Sequence, residues 1–236
     1  MTERSRASME RSSTHFRVGP SQLRWTSDHL EIDVNEWSVP IPQRVRGKIK
    51  LFPERLFHYV TALDTNARHH WGPIAPAARV EVSLEQPQLS WTGHAYLDSN
   101  EGVEPVIQSF AEWDWSRANL SDGSVAVLYD IREKSGNERV LALKFNPDQS
   151  VEQFQAPARQ ALPKAFWRVR RSIRSEAGVP ARVVNTLEDT PFYVRSVLES
   201  GLLGENVISM HETLNIPRLD STSTRLMLPW KMPRLR

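Results

Sequence analysis

The sequence predicts an all-β protein built as an antiparallel barrel or sandwich. Apolar and polar residues alternate in short segments, most cleanly at 30–34 and 79–84. Proline and glycine turns separate these segments, and no stretch keeps a long helical period of 3.6 residues. Many short strands joined by turns are typical of antiparallel barrels and sandwiches.

The first part of the chain changes from an irregular start to strands. Residues 1–15 carry almost no apolar periodicity, which predicts a flexible beginning. Gly19-Pro-Ser21 predicts a turn ahead of a strand at 23–25. Alternation or apolar content then predicts strands, in order, at 30–34, 44–51, 79–84 and 89–98, followed by a turn at Ser99-Asn-Glu-Gly102.

The second part reads as a meander interrupted by one long loop. Residues 110–120 and 124–131 flank Ser121-Asp-Gly123, which predicts a hairpin in which Trp113 and Trp115 share one face as core or pocket wall. A strand at 139–145 continues the meander, and three prolines predict a loop at 146–164. Further strands are predicted at 166–173, 182–187, 192–198 and 205–214, with a short helix at 193–199 as an alternative.

Composition excludes several classes of protein. An apolar fraction of 39% with 25% charged residues indicates a folded core rather than disorder. The absence of cysteine excludes disulfides, thiolate catalysis and cysteine-ligated zinc. No apolar run reaches the ~20 residues that span a bilayer, and residues 1–13 lack the apolar stretch of a signal peptide. The sequence therefore predicts a cytoplasmic or peripheral protein.

Basic residues cluster in one internal stretch and at the end of the chain. The stretch holds Arg168, Arg170, Arg171 and Arg174, and the tail runs from 230 to 236. The formal net charge is only +2, with mixed signs along the chain, so no nucleic-acid partner is predicted. Each cluster is either solvent-exposed and inert or attracted to anionic lipid heads and phosphates.

No common catalytic motif occurs in the chain. Glycine-rich nucleotide loops and the serine-hydrolase elbow are both missing, so no nucleotide cofactor or serine nucleophile is predicted. His69 and His70 are adjacent, so on a strand they would face opposite ways and could not bind one metal together. A metal bound by His69, His94 and Asp98 is geometrically conceivable but has no further support. No metal is therefore predicted, and His94 receives no role.

Two pairs of residues combine an aromatic ring with a polar group at the same spacing. His69 and Trp71 would share one face of an extended segment, as would Tyr96 and Asp98. If both faces line one cavity, a protonated carboxyl could protonate an alkene, and the rings could stabilise the resulting cation. The alternative is a core Trp and Tyr beside a polar strand end.

The chain also resembles a known family over nearly its whole length. Tyr96-Leu-Asp-Ser-Asn-Glu-Gly102 and Trp113-Asp-Trp-Ser-Arg117 closely resemble motifs of the acyclic carotenoid 1,2-hydratases, or hydroxyneurosporene synthases. Further matching motifs lie, in order, at 1–4, 19–21, 69–76, 127–130, 187–196, 210–214 and 228–234.

The resemblance implies a fold, a reaction and a set of site residues. The implied fold is a calycin-like or lipocalin-like antiparallel β-barrel with two barrel-like halves, residues 1–90 and 91–236. The first half is expected to be incomplete, since family members carry strands upstream of Met-Thr-Glu-Arg. The implied reaction adds water to the terminal C1–C2 double bond of neurosporene or lycopene without a cofactor. Asp98 is the implied Brønsted acid, and its implied partners are His69, Trp71 and Tyr96. The resemblance also implies peripheral contact with the intracytoplasmic membrane.

Three other functions remain open at this point. A lipocalin-like barrel can bind a hydrophobic ligand without catalysis. A related barrel could start the cyclisation of another terpenoid or a polyketide by protonation. The many tryptophans also leave a carbohydrate-binding sandwich open, with less support.

Overall fold

The all-β prediction is confirmed by the computed structural model, which describes residues 3–39, 41–231 and 234–235. The strands are, in chain order, β1 (Glu3–Arg4), β2 (Met9–Arg11), β3 (His15–Val18), β4 (Ser21–Trp25), β5 (Leu30–Trp37), β6 (Arg44–Pro53), β7 (Thr61–Ala62), β8 (His69–Gln86), β9 (Leu89–Gly102), β10 (Phe110–Asn119), β11 (Val125–Glu133), β12 (Glu138–Phe145), β13 (Val151–Gln153), β14 (Arg159–Ala161), β15 (Ser172–Arg174), β16 (Arg182–Asp189), β17 (Tyr193–Leu202), β18 (Glu205–Asn215) and β19 (Arg234–Leu235). The helices are a 3-10 turn (Arg6–Ser8), α1 (Val106–Ser109), α2 (Ile216–Leu219) and α3 (Thr222–Lys231).

The chain divides into two compact units. The first unit takes Met1–Leu56, Ala75–Leu97 and Arg225–Arg236, and the second takes Phe57–Ile74 and Asp98–Thr224. Strands β8 and β9 each contribute residues to both units. The division into halves at residues 90 and 91 stays a prediction.

The first unit is built on an antiparallel sheet with the order β2-β3-β4-β5-β6-β8. Leu30 pairs with Leu51 across β5 and β6, and both side chains are buried. On the opposite face Lys48 lies 3.2 Å from Asp33, so the polar side of β6 carries ion pairs. The alternation of β6 therefore separates core from surface as predicted.

The second unit is built on a seven-stranded antiparallel sheet with the order β13-β12-β11-β10-β18-β17-β16. The predicted hairpin of β10 and β11 and the meander into β12 are confirmed. Paired residues of neighbouring strands project from the same face of a sheet. One row of paired residues crosses five strands, and we call it the central row: Leu141, Tyr129, Trp115, Glu212 and Arg195.

Two predicted elements in this part of the chain are wrong. Ser99–Gly102 continues strand β9 instead of turning the chain. Residues 166–171 form an irregular loop, and only Ser172–Arg174 is a strand. The alternation of apolar and arginine side chains in this loop imitates a strand, but Val169 and Arg171 are its buried anchors.

The ends of the chain also differ from expectation. Met9–Arg11 pairs with His15–Val18, so the predicted flexible start is wrong for this stretch. The short helix considered at 193–199 is strand β17. Helix α3 was not predicted, and it includes the first two residues of the predicted loose tail, of which Met232, Pro233 and Arg236 lie outside the described residues.

Within the described ranges, every helix is too short or too polar to pass through a lipid bilayer.

Candidate functional site

A hydrogen bond joins two of the residues that the sequence singles out. The indole Nε1–H of Trp71 donates to Oδ2 of Asp98 over 2.7 Å. Trp71 lies on β8 and is 1% exposed, while Asp98 lies on β9 and is partly buried. A buried indole needs a hydrogen-bond partner, and a carboxyl oxygen is a strong acceptor. The structure therefore brings the predicted acid and its predicted tryptophan together.

Aromatic rings surround the indole of Trp71. The ring of Tyr129 lies 5.8 Å from it at 86°, and the ring of Phe145 lies 6.5 Å from it at 79°. Trp113 in turn lies edge-on to Tyr129 at 6.2 Å. Tyr129 and Phe145 are both almost fully buried. The carboxyl of Asp98 is thus held by a side chain that is itself fixed in an aromatic cluster.

Tyr129 connects this cluster electrostatically to two carboxylates. Burial raises the pKa of its phenol well above the usual range, and the negative charges of Asp98 and Glu212 raise it further. Tyr129 therefore keeps its proton at any physiological pH. A phenol that stays neutral can donate a hydrogen bond or offer its ring face without becoming a competing base.

His69 has a different set of partners from the one the sequence suggests. Its Nε2 lies 2.9 Å from the carbonyl oxygen of Glu104, which only accepts, so Nε2 carries the proton. Its Nδ1 faces Oδ2 of Asp64 at 3.6 Å. The ring also packs edge-on against Phe110 at 4.8 Å. Both nitrogens of His69 thus face Glu104 and Asp64.

Asp64 fixes the start of strand β8. Its side chain is fully buried, and Oδ1 accepts the backbone N–H groups of Arg68 at 2.9 Å and His69 at 3.0 Å. Burial by itself would raise the pKa of Asp64, but these donors and the ring of His69 outweigh it, and the pKa is lowered. Asp64 therefore contacts both the backbone amide and the imidazole ring of His69.

We expect Asp64→Ala to destabilise the protein by about 3 kcal/mol, because the buried amide of His69 and the partly buried amide of Arg68 lose their acceptor. For a chain of this size the loss corresponds to a fall in Tm of roughly 6–12 °C in a thermal melt. The stabilisation that comes from a lowered carboxyl pKa is fully present above the ordinary value of 3.8 and is lost progressively below it, so the difference from wild type should shrink as the pH falls through this range. Asp64→Asn, which keeps one oxygen for the amides, is the matched control. Equal melting of Asp64→Ala and wild type at pH 7 would contradict this role.

Gly102 approaches the ring of His69 closely at the end of β9. A Cβ atom added at Gly102 would lie 2.5 Å from Cδ2 and 3.1 Å from Nε2 of His69. Since real Cβ atoms do not come so close to other heavy atoms, only glycine fits here. The glycine of the Asn-Glu-Gly segment, which suggested a turn in the sequence, is required by this close contact with His69 on a continuing strand.

The remaining sequence candidates lie on β9 as follows. Tyr96 precedes Asp98 by two residues and belongs to the first unit, with its hydroxyl oxygen buried. His94 is exposed. Among the described residues, no three His, Cys, Asp or Glu side chains come close enough together to hold a metal ion. The catalytic roles of Asp98, His69, Trp71 and Tyr96 stay predictions.

Sequence reasoning missed Tyr129 and Asp64. Tyr129 stands in an almost wholly apolar strand, where it reads as one more core residue. Asp64 stands in a segment of turn-forming residues, where an aspartate is ordinary. The available signal for Tyr129 was its pairing register opposite Trp115, since the hairpin that fixes this register was predicted.

Comparison with known proteins identifies the family. The family model described as Carotenoid hydratase CrtC matches residues 1–236. An acyclic carotenoid 1,2-hydratase from Rubrivivax gelatinosus is 54% identical over 99% of this chain, and one from Thiocapsa roseopersicina is 48% identical over 100%. The chain spans 58% of the length of each of these relatives. A third relative of the same name, from Rhodobacter capsulatus, is 36% identical, and the match covers 99% of this chain and 83% of that protein.

A solved structure supports the fold independently of sequence. The crystal structure of a protein from Nitrosomonas europaea described as an AttH candidate superposes with a TM-score of 0.63 at 15% identity. The superposed region covers 89% of this chain and 71% of the Nitrosomonas europaea chain. At this identity the likeness concerns the fold alone, and it supports the predicted lipocalin-like class. Together with the match along all 236 residues, these relatives show that the chain belongs to the carotenoid hydratase CrtC family.

Proposed function

We propose that the chain hydrates acyclic carotenes such as neurosporene and lycopene at the terminal C1–C2 double bond. The product is a tertiary 1-hydroxy-1,2-dihydro carotenoid, and the reaction needs no cofactor. The observation that carries the proposal is the hydrogen bond from Trp71 to Asp98 beside the buried aromatic ring of Tyr129. This arrangement joins a carboxyl to π faces, as acid-initiated hydration requires.

Asp98 donates the first proton in this proposal. A carbon–carbon double bond is a weak base, so the carboxyl must react in its protonated form. Oδ2 accepts the indole N–H of Trp71, which makes it the carbonyl oxygen of the acid. Oδ1 is then the oxygen that carries the proton and gives it to C2 of the substrate.

Protonation at C2 leaves a tertiary cation at C1. Indole and phenol faces attract a cation by about 1–2 kcal/mol each when water is excluded. Trp71 and Tyr129 supply such faces and contain no group that is basic at neutral pH. Tyr96 is the further partner that the family motif implies. Water then attacks C1 and completes the alcohol.

His69 acts as a positioning residue in this scheme. Its ring nitrogens face Asp64 and the Glu104 carbonyl, and it stands two residues before Trp71 on β8. It therefore orients the start of the strand that carries the indole. Because the substrate is a long apolar polyene, we also propose that the protein contacts the membrane peripherally.

Expression in a lycopene-producing host tests this function. Pigments are separated by chromatography, and their molecular masses are measured by mass spectrometry. Hydration adds the mass of one water, whereas cyclisation leaves the mass of lycopene unchanged. A gain of one water per modified end supports the proposal. Unmodified lycopene that co-purifies with the protein would instead support the non-catalytic binder.

A further inference from the structure

An aromatic pair projects from the surface of the second unit. Phe166 is 84% exposed and Trp167 is 44% exposed. Their rings contact each other edge-on, with centroids 5.6 Å apart at 88°. Large apolar side chains exposed together mark a surface that meets another apolar phase or partner. We call residues 164–171 the aromatic loop.

Buried anchors hold the aromatic loop in place. Val169 is fully buried, and buried Arg171 donates from Nε to the Pro163 carbonyl at 2.8 Å and from Nη1 to the Ser196 hydroxyl at 2.7 Å. Arg218 donates from Nη1 to the carbonyl oxygen of Trp167 at 2.7 Å. The backbone under the aromatic pair is therefore fixed, and the exposed rings cost little further ordering on binding.

The charges around the pair are mainly positive. Lys164, Arg168 and Arg170 are exposed, and the loop contains no acidic residue. From the neighbouring strand β16, Asp189 accepts the backbone N–H of Phe166 at 2.5 Å. Exposed aromatic side chains in a loop that also exposes basic side chains match the interface of an anionic membrane, where aromatic rings insert and cations contact lipid phosphates.

We propose that the aromatic loop docks the protein on an anionic lipid surface. The docking surface specifies the peripheral contact proposed above, but it requires no hydration activity. Phe166 and Trp167 enter the headgroup region, and Lys164, Arg168 and Arg170 contact lipid phosphates. The fixed loop presents the rings without rearrangement.

Vesicle co-sedimentation of the full chain tests this surface. Wild type should pellet with vesicles of phosphatidylcholine and phosphatidylglycerol, and less with phosphatidylcholine alone or at high salt. The double variant Phe166→Ser/Trp167→Ser should bind about tenfold more weakly, and Arg168→Glu/Arg170→Glu at least as weakly. Val103→Ser removes another exposed apolar side chain, 86% exposed, and should bind as wild type does.

Thermal melts and circular dichroism verify that each variant is folded before its binding is compared. Failure of folded wild type to pellet with the anionic vesicles would overturn the proposal. So would equal pelleting of wild type and both double variants. Activity in cells with no vesicle binding would leave the proposed hydration standing and remove the docking surface alone.

A second inference rests on a different observation, the central row of the second unit. Glu212 is paired with Trp115, which is paired with Tyr129 on its other side. Strand spacing places Glu212 two strands, or about 10 Å, from Tyr129 along the sheet. The charge of Glu212, like that of Asp98, acts on the phenol of Tyr129. Two carboxylates therefore lie within electrostatic reach of one neutral tyrosine.

The contacts and the exposure of Glu212 allow its carboxylate to bind a water molecule. Arg195 Nε donates to Glu212 Oε1 at 2.9 Å and to the Tyr193 hydroxyl at 2.9 Å. Tyr129 and Trp115 are buried, whereas the side chains of Glu212 and Arg195 are 26% and 43% exposed. Water can therefore reach the row from the Glu212 end, while the Tyr129 end is dry.

We infer that Glu212 binds the attacking water and accepts its proton, a role that rests on the proposed hydration. Asp98 gives its proton to C2, and the π pair of the alkene becomes the new C–H bond. A lone pair of the water forms the C1–O bond, and the released proton goes to the Glu212 carboxylate. Glu212 then returns one proton to Asp98 through water, so each cycle consumes one alkene and one water.

Glu212→Gln separates protonation from hydration. We expect hydration to fall about 10²-fold, because the water loses its base. Asp98 still protonates C2, and the cation returns to the alkene by losing a proton from C2. In D₂O the recovered carotene should therefore gain deuterium while alcohol fails to accumulate. Glu199→Gln, which alters the exposed ion pair to Arg182 at 2.6 Å, is the matched control and should hydrate as wild type.

Glu212→Ala supplied with formate gives a second measurement. A small carboxylate that enters from the exposed end should restore part of the hydration. Hydration by Glu212→Gln at the wild-type rate would overturn the inference, and so would joint loss of hydration and deuterium uptake in a folded variant. If wild type shows neither alcohol nor deuterium uptake, the proposed function itself fails.

Discussion

Asp98→Asn should lower the rate of carotene hydration by at least about 10³-fold, because the only proposed proton donor is removed. The substitution preserves shape, and the amide oxygen can still accept the indole N–H of Trp71, now bonded to Oδ2 over 2.7 Å. Stability should therefore change little. Initial rates in cell extract with lycopene, measured by the alcohol formed, check the first part, and thermal melting checks the second.

Asp33→Asn is the matched control for this experiment. Asp33 also lies on a strand and accepts a side-chain N–H, that of Gln22 at 2.7 Å. It belongs to the first unit and to no part of the proposed reaction. Wild-type rates for Asp98→Asn, with the control unchanged, would remove Asp98 from the mechanism and leave the family assignment intact.

Trp71→Phe should lower hydration by about 10²-fold, the range in which a lost orienting donor affects acid catalysis. Phenylalanine has no N–H for Asp98, so the carboxyl loses the bond that fixes its orientation. The smaller ring also leaves space beside Tyr129 and Phe145, which Trp71 now contacts edge-on. We expect an accompanying loss of stability of about 1–3 kcal/mol.

The control separates the effect on chemistry from the effect on packing. Trp25→Phe makes the same change in the first unit, where the partly buried Trp25 packs against the cluster of Leu30, Leu51, Ala75 and Ala78. Its Tm should fall, but its kcat should stay close to that of wild type. If both variants lose activity in proportion to stability, the indole of Trp71 serves packing and not the orientation of Asp98.

Alternation along strands accounts for what the sequence could predict of the site. Residues two apart on a strand share a face, and this rule grouped Trp71 with His69 and Asp98 with Tyr96. The contact between Trp71 and Asp98 did not follow from the residues, which left open whether the two faces line one cavity; only the resemblance to the family joined the two pairs in one site. Local pattern was therefore sufficient for each pair of residues on its own strand and not for the contact between the two strands.

The same reasoning failed where contacts join distant segments. Tyr129 contacts Trp71 across 58 positions of sequence, and no periodicity encodes that approach. The loop at 166–171 shows the opposite failure, since its alternation is that of a strand. The Arg171 side chain in this loop donates hydrogen bonds to the Pro163 carbonyl and the Ser196 hydroxyl. Tertiary hydrogen bonding outweighed the local pattern.

The contact of Gly102 with His69 has a consequence for engineering this chain. A library that randomises the residues around Asp98 to change the ligand preference would normally include the end of β9. With a Cβ atom only 2.5 Å from the imidazole, every substitution at 102 would displace that ring from the Glu104 carbonyl. Residue 102 is therefore best held constant in such a library, so that the randomised positions are screened with the His69 ring in place.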